Sequence, residues 1–344
     1  MTNMISRKSE AKVKPDHITK IFMEQPEIFA DAVNYAVYKG KQVVDPNTLE
    51  SAPTVATSFV YNGEDVKISF EKIRDVRKTV RLDPAERTAY MVYGAENQTN
   101  LHYAMPVKTM MYDVMEYAGQ IETRGKTFRK NKAGEYEMLP EDEAKPVTEE
   151  FLSSWKKEDR LIPVITIVVN FSDKKWDAPV SLHEMFNMDY PERNEVIKEM
   201  IPDYRIQLID PHQMKDEDYD RMKTELGTVM KFISNAGSKE KLKAMDPEKT
   251  LNRTAVEVIN TCTGAKITMP EEGTVIKVSE GIRELMEEGR EEGRIEGREE
   301  GKAEGIQNVV MNMIKKMVPD ELIIECSGIT AEMLEELKVK CGEM

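Results

Sequence analysis

An α/β protein is what this sequence predicts: a helix, three strands, a second helix and a further strand, in that order, with a charged helical tail behind them. Three observations carry the prediction. Apolar residues recur at helical spacing in Ile21, Phe22, Ile28, Phe29, Val33 and Val37, and again in Val107, Met110, Met111, Val114, Met115 and Ala118. Short strand-like runs lie between these two segments, at Ser58-Phe-Val-Tyr61, Ile73-Arg74-Asp75-Val76 and Tyr90-Met-Val-Tyr-Gly. The most apolar run of the chain, Ile162-Pro-Val-Ile-Thr-Ile-Val-Val-Asn-Phe171, has the β-branched content and length of a strand covered on both faces.

The first helix is expected over residues 16–40, with Asp16 as its N-cap and Gly40 as its stop, and Pro26 marks a break or a division into two helices. Pro46 and Pro53 make the next stretch irregular. Asn62-Gly63 closes the first strand, and Asp83-Pro84 favours a turn between the second and third. The second helix is expected over residues 105–121. A polar loop over residues 124–146 then leads to the buried strand. Tyr204-Arg-Ile-Gln-Leu-Ile-Asp210 alternates as a strand does, and residues 216–259 read as helical with a boundary at Pro247. The expected division is a domain over residues 1–235, a helical extension over 236–280, a linker helix over 281–305 and a small helical module over 306–344.

With 344 residues, 40% hydrophobic and 33% charged, the chain is long enough for a sizeable core and fits a soluble protein rich in exposed helix. No apolar run approaches the ~20 residues of a membrane span, and the first residues lack the apolar stretch of a secretory signal. Three scattered cysteines, Cys262, Cys326 and Cys341, suit reduced thiols, so a cytoplasmic protein without membrane partners is expected. The net charge of −14 argues against non-specific coating of nucleic acid. Phosphate would have to meet a local basic patch. The clearest candidate is Arg124-Gly-Lys126-Thr-Phe-Arg129-Lys130-Asn-Lys132, which reads either as a solvated loop or as a nucleic-acid-binding surface.

In the tail, Gly289, Gly293, Gly297, Gly301 and Gly305 repeat every four residues among Glu and Arg. Five glycines cost a helix about 4–5 kcal/mol against alanine. Each Glu–Arg pair at i,i+3 or i,i+4 returns only about 0.2–0.5 kcal/mol. A marginal charged helix or linker is expected. Beyond it come three short helices, with a break at Gly328 and a cap at Thr330. They read as a small module for homo-oligomerisation or, alternatively, as a helix-turn-helix.

One constellation carries chemistry. Strand side chains alternate, so Glu96 and Gln98 share a face, and Asp75 on a neighbouring strand would meet Glu96 at one edge of the sheet. Two carboxylates converging beside a polar group are how hard cations such as Mg²⁺ are held. By spacing alone, an acid-x-Gln at a strand end arises readily by chance.

The residues around it sharpen the reading. Arg74-Asp75-Val76, Gly94-Ala-Glu96-Asn97-Gln98, Tyr103-Ala-Met105-Pro106-Val-Lys108 and Tyr112-Asp113 together resemble the bacterial recombination-promoting nuclease and putative transposase family (Rpn, YhgA-like). That family lies within the PD-(D/E)XK, or restriction-endonuclease-like, superfamily. The similarity runs on through Phe29-Ala-Asp31-Ala-Val-Asn34-Tyr35, Pro163-Val-Ile-Thr-Ile, Trp176-Asp-Ala-Pro-Val-Ser-Leu-His183 and Asp203-Tyr-Arg-Ile, covering roughly residues 15–235. The Glu-Gly repeat and the terminal helices also resemble tails in that family.

The resemblance implies a restriction-endonuclease-like core and a Mg²⁺-dependent DNA endonuclease, with Mn²⁺ as a substitute ion and a link to recombination or mobile elements. Asp75, Glu96 and Gln98 would be catalytic. Asp75 and Glu96 would hold the metal, and Gln98 stands where the superfamily carries lysine. Asp16 and Lys20 are similar to an acid and a lysine on the family's first helix. Tyr112, Asp113 and Gln120 would sit on the helix after the catalytic strand. The competing expectations are a catalytically silent nucleic-acid-binding or assembly protein that keeps the fold, and a nuclease held inactive until a partner frees it.

Overall fold

The computed structural model describes residues 14–52, 55–62, 66–73, 75–80, 91–140, 143–187 and 191–342. Arg74, Gly63, Asp83 and Pro84 lie outside the described residues, and with them the two expected turns. The chain divides into two compact units, Met1–Gly281 and Ile282–Met344.

In the first unit, the expected single helix over residues 16–40 is two, α1 (Pro15–Glu24) and α2 (Pro26–Ala36). Pro26 ends one and starts the other, because proline lacks the N–H an interior turn requires yet suits a first turn. The same preference overturns the expected cap. Pro15 opens α1, Lys14 is the N-cap residue, and Asp16 sits inside the first turn. Asp16 instead accepts a hydrogen bond from the Thr99 hydroxyl.

Strand β1 (Leu49–Ser51) is followed by β2 (Val55–Asn62) and β3 (Val66–Ile73), which pair with each other antiparallel. The run expected as one strand over residues 73–76 is therefore interrupted. β3 ends at Ile73, Asp75 occupies a bend, and β4 (Val76–Val80) begins after it. β5 (Met91–Gln98) leads to α3 (Met105–Lys126), longer than expected at its C-terminal end. Gly125 lets Ser154 pack against that end, since a Cβ there would stand 2.7 Å from Ser154 Cβ. Arg124 and Lys126 suit the last turn electrostatically.

After the short α4 (Thr148–Ser153) come β6 (Val164–Asn170), α5 (Pro191–Met200) and β7 (Gln207–Ile209). The unit continues through α6 (Asp216–Arg221), α7 (Glu225–Asn235) and α8 (Lys239–Lys243). A hairpin of β8 (Thr250–Asn252) and β9 (Val275–Lys277) encloses α9 (Arg253–Thr263). That hairpin corrects the all-helical expectation for residues 216–259. Three-residue strands are too short to show a period of two. Residues expected as a separate extension pack within this unit, with α9 against α1.

The central sheet has the order β1-β4-β5-β6-β7. The β1–β4 and β4–β5 pairs are antiparallel, and β5–β6 and β6–β7 are parallel. The protein is thus α/β with a mixed sheet. β6 lies second from the edge, and Ile167, Val168 and Val169 are fully buried, as its composition required. Phe22 of α1 meets Phe171 edge-to-face at 6.5 Å, and α1 and α2 pack on β5 and β7. Met105, Val168, Trp176, Ala178 and Ile206 form a cluster under the start of α3. Met105, Val168 and Ile206 are each worth about 1.5–3 kcal/mol when fully buried. Arg77 on β4 grips Glu116 on α3 through Nε at 3.0 Å and Nη2 at 2.6 Å. These contacts place the N-terminus of α3 beside the C-terminal ends of β5 and β6.

Helix α10 (Val278–Lys315) carries the glycine repeat as one continuous helix. In the second unit α11 (Asp320–Ser327) and α12 (Ala331–Gly342) follow it. Val310, Ile323, Ile329, Leu334 and Leu337 make a small core of their own. Gly328 takes φ +70° as the C-cap of α11, and Thr330 Oγ1 accepts from Met333 N, as the sequence led us to expect. No helix among the described residues is long and apolar enough to cross a membrane.

Candidate functional site

The β4–β5 pairing ends at Val76 opposite Ala95, so Asp75, in the bend before β4, and Glu96, within β5, are the residues that follow this last pair on either strand. Asp75 is fixed there by one bond, Asn97 N–H donating to Oδ2 at 2.8 Å. Glu96 is 1% exposed and faces α3, where Lys108 Nζ lies 2.6 Å from its Oε2. Gln98 ends the strand. Its backbone oxygen accepts from Phe171 N at 2.7 Å, which ties β5 to the loop after β6.

A cleft of about 270 Å³ opens at this point, lined by residues that include Asp16, Asp75, Asn97, Gln98, His102 and Lys108. The acid of the first helix and the acid before β4 thus reach one cavity from elements distant in sequence. Burial pushes the Asp75 carboxyl above its ordinary value, and the neighbouring Asp16 adds to the rise. The Asn97 N–H, Lys108 and Lys20 oppose it without prevailing. Lys20 also lies 4.0 Å from Glu24.

The remaining candidates are placed elsewhere. Asp113 is a buried brace: Oδ1 accepts from Thr166 at 2.6 Å and Oδ2 from the Tyr204 hydroxyl at 2.6 Å. Gln120 shares that face and clamps Ile162, donating to its carbonyl at 3.0 Å and accepting from its N–H at 2.7 Å. Tyr112 is 2% exposed and belongs to the core, with its ring 5.9 Å from Lys108 Nζ.

The basic run lies at the far end of α3. Eighteen residues separate Lys108 from Lys126, about 27 Å of helix at 1.5 Å per residue. Within the run, Arg124 is committed to Glu143 at 2.7 Å and Asp159 at 2.9 Å, and Lys126 pairs with Glu122 at 3.7 Å. Lys130 lies over the Tyr136 ring at 4.9 Å, while Arg129 and Lys132 are exposed.

In the sequence Lys108 belongs to the Tyr103–Lys108 motif and carries no assigned role. The available signal was its position one turn into the helix that follows Glu96.

The family model described as "Putative transposase, YhgA-like" matches residues 147–254. That segment runs from α4 through β6, β7 and β8, and lies wholly C-terminal to Asp75, Glu96 and Gln98. No curated protein and no solved structure matches the chain. The matched residues include strand β6 and the stretches around Trp176, His183 and Asp203 on which the family resemblance also rests, so this segment of the chain is similar to the YhgA-like family.

Proposed function

We propose that the chain is a Mg²⁺-dependent DNA endonuclease with a restriction-endonuclease-like core, in which Asp75 and Glu96 hold the ion and Gln98 stands beside them. One observation supports the reading: the Asp75 carboxylate accepts from the N–H of Asn97, the residue after Glu96, and lines an open cleft. The description of the matched family as transposases supports action on DNA.

The donor set fits the ion. Mg²⁺ retains several waters and is held by one or two carboxylates together with phosphate oxygens. Among the described residues no group of three or more His, Cys, Asp or Glu could hold a metal ion, so Asp75 and Glu96 would have to bind it with water and phosphate oxygens alone. When bound, the ion supplies polarisation of the phosphate and a more acidic attacking water. The chain's own residues do the rest. Asn97 N–H and Lys108 hold the two carboxylates in place, and the cleft admits the phosphate. The Gln98 amide donates to a phosphate oxygen or orients the water, but it transfers no proton. In the reaction the water oxygen bonds to phosphorus, the ester P–O bond breaks, and a proton of the water ends on the leaving sugar oxygen. Arg129, Lys130 and Lys132, which follow the far end of α3, would meet the duplex away from the cut.

The test is cleavage of supercoiled plasmid with Mg²⁺ or Mn²⁺, together with calorimetric ion binding, for native protein and for Asp75→Asn and Glu96→Gln. We expect both variants to lose ion binding and to cut at least about a hundredfold more slowly. Equal cutting by all three proteins would remove these residues from the site. A second reading, a silent DNA-binding or assembly protein, is favoured by the Lys108–Glu96 ion pair, which already neutralises one ligand, and by the neutral Gln98. It predicts that native protein retards DNA in a gel yet binds no divalent ion.

A further inference from the structure

Phosphate hydrolysis builds negative charge on the phosphoryl oxygens, and a cation placed beforehand is the means of stabilising it. The Glu96-Asn97-Gln98 run carries none. The structure brings one from another element. Lys108 is one turn into α3, its ammonium is 2.6 Å from Glu96 Oε2, and it lines the cleft. Its side chain is 27% exposed against 1% for Glu96, so the ammonium reaches from a buried carboxylate to the open cavity. Nothing in helix chemistry favours it there: a cation in a first turn opposes the helix dipole. The position is imposed by packing. Fully buried Met105 docks the start of α3 against Val168 and Trp176, and buried Tyr112, one turn after Lys108, puts its ring 5.9 Å from the ammonium.

We propose, resting on the nuclease reading above, that Lys108 is the catalytic cation of this site, supplied by α3 in place of the lysine that the strand motif lacks. With the cleft empty, the ammonium is held by Glu96. With a phosphodiester in the cleft, it meets a non-bridging oxygen and acts as a fixed charge. No proton leaves it. Lys20, the other cation that acts on Asp75 among the described residues, is the competing assignment; it is drawn off by Glu24 at 4.0 Å.

Full-length Lys108→Gln, Lys108→Arg and Lys20→Gln are compared with native protein in two measurements. One is Mn²⁺ affinity by calorimetry without DNA. The other is the plasmid cleavage rate at saturating Mn²⁺, with folding followed by melting temperature. Lys108→Gln should cut at least about a hundredfold more slowly. It should also bind Mn²⁺ about threefold or more tightly, because a repelling charge next to the ligands is gone. A residue that merely supported the fold would not raise ion affinity. Lys108→Arg, which keeps the charge, should stay within about tenfold of the native rate.

The assignment is overturned if folded Lys108→Gln cuts within about threefold of native, if its ion affinity falls together with its rate, or if Lys20→Gln causes the large loss instead. Should Lys108→Gln fail to fold, the arginine variant decides: native ion affinity with a hundredfold slower rate rejects the charge role. If native protein neither binds Mn²⁺ nor cuts, the nuclease reading falls and this assignment with it. If native protein does both and Lys108→Gln is unchanged, only the assignment falls.

Discussion

At the scale of single residues, the far end of α3 is held by charge. Glu143 accepts from Arg124 Nη2 at 2.7 Å and from Lys156 Nζ at 2.8 Å, and these bonds bring its carboxyl down to about 2. Because the folded value lies below the ordinary one of 4.5, the stability this gives is complete above pH 4.5 and is lost as pH falls toward 2. The side chain is 33% exposed, so solvent screening reduces the gain to about 1–2 kcal/mol. Glu143→Gln should therefore melt earlier than native at pH 7, and the gap should close between pH 4.5 and 2. A gap independent of pH would mean that packing, not charge, is the cause. The same scale separates what sequence shows from what it hides. Alternation puts Glu96 and Gln98 on one face by a local rule, whereas the choice of Asp75 as partner of Glu96 rests on resemblance more than on spacing. Lys108 is not legible, because its approach to Glu96 depends on how deeply Met105 docks under α3. Asp16 is half legible: its nearness to the site could be expected by resemblance, but its capping role was lost to Pro15.

Elements show the same division. β6 and the start of α3 are marked by strong periodicity, whereas β8 and β9 are three residues each and disappear inside a helical pattern. β7 owes its place to the parallel pairing of Ile167, Val168 and Val169 with residues 207–209, a partnership that composition does not announce. Besides the Asp113–Thr166 bond, α3 is linked to the segment entering β6 by the Gln120 clamp on both polar groups of Ile162. Gln120→Ala leaves those groups without it and should cost about 1–3 kcal/mol in chemical unfolding, with cleavage per folded molecule unchanged. A specific loss of cleavage would instead return Gln120 to the site. Helix α10 responds in the opposite direction. A Cβ at Gly293, Gly297, Gly301 or Gly305 meets nothing within 4 Å, so alanine at all four should stabilise the helix by about 3–4 kcal/mol. Slower amide exchange over residues 290–308 is the expected readout, and unchanged exchange would mean that another interaction fixes this helix.

For the whole molecule, two cores on one chain imply two melting events. The first unit is organised around the five-stranded sheet and its helices, and the second around Val310, Ile323, Ile329, Leu334 and Leu337. Units with separate cores are able to fold as separate cooperative bodies. Between residues 282 and 305 the chain is a helix whose glycines and charges give it little stability of its own, and Ile295 is 47% exposed there. A glutamate-specific protease should therefore cut native protein first among residues 287–304, where the glutamates are dense and the backbone opens at low cost. The larger fragment, ending in this stretch, should keep a cooperative transition in calorimetry and retain Asp75, Glu96 and Lys108 with whatever ion affinity the intact chain shows. If the larger fragment instead melts without cooperativity, the second unit contributes to the stability of the first, and the two must be treated as one folding body.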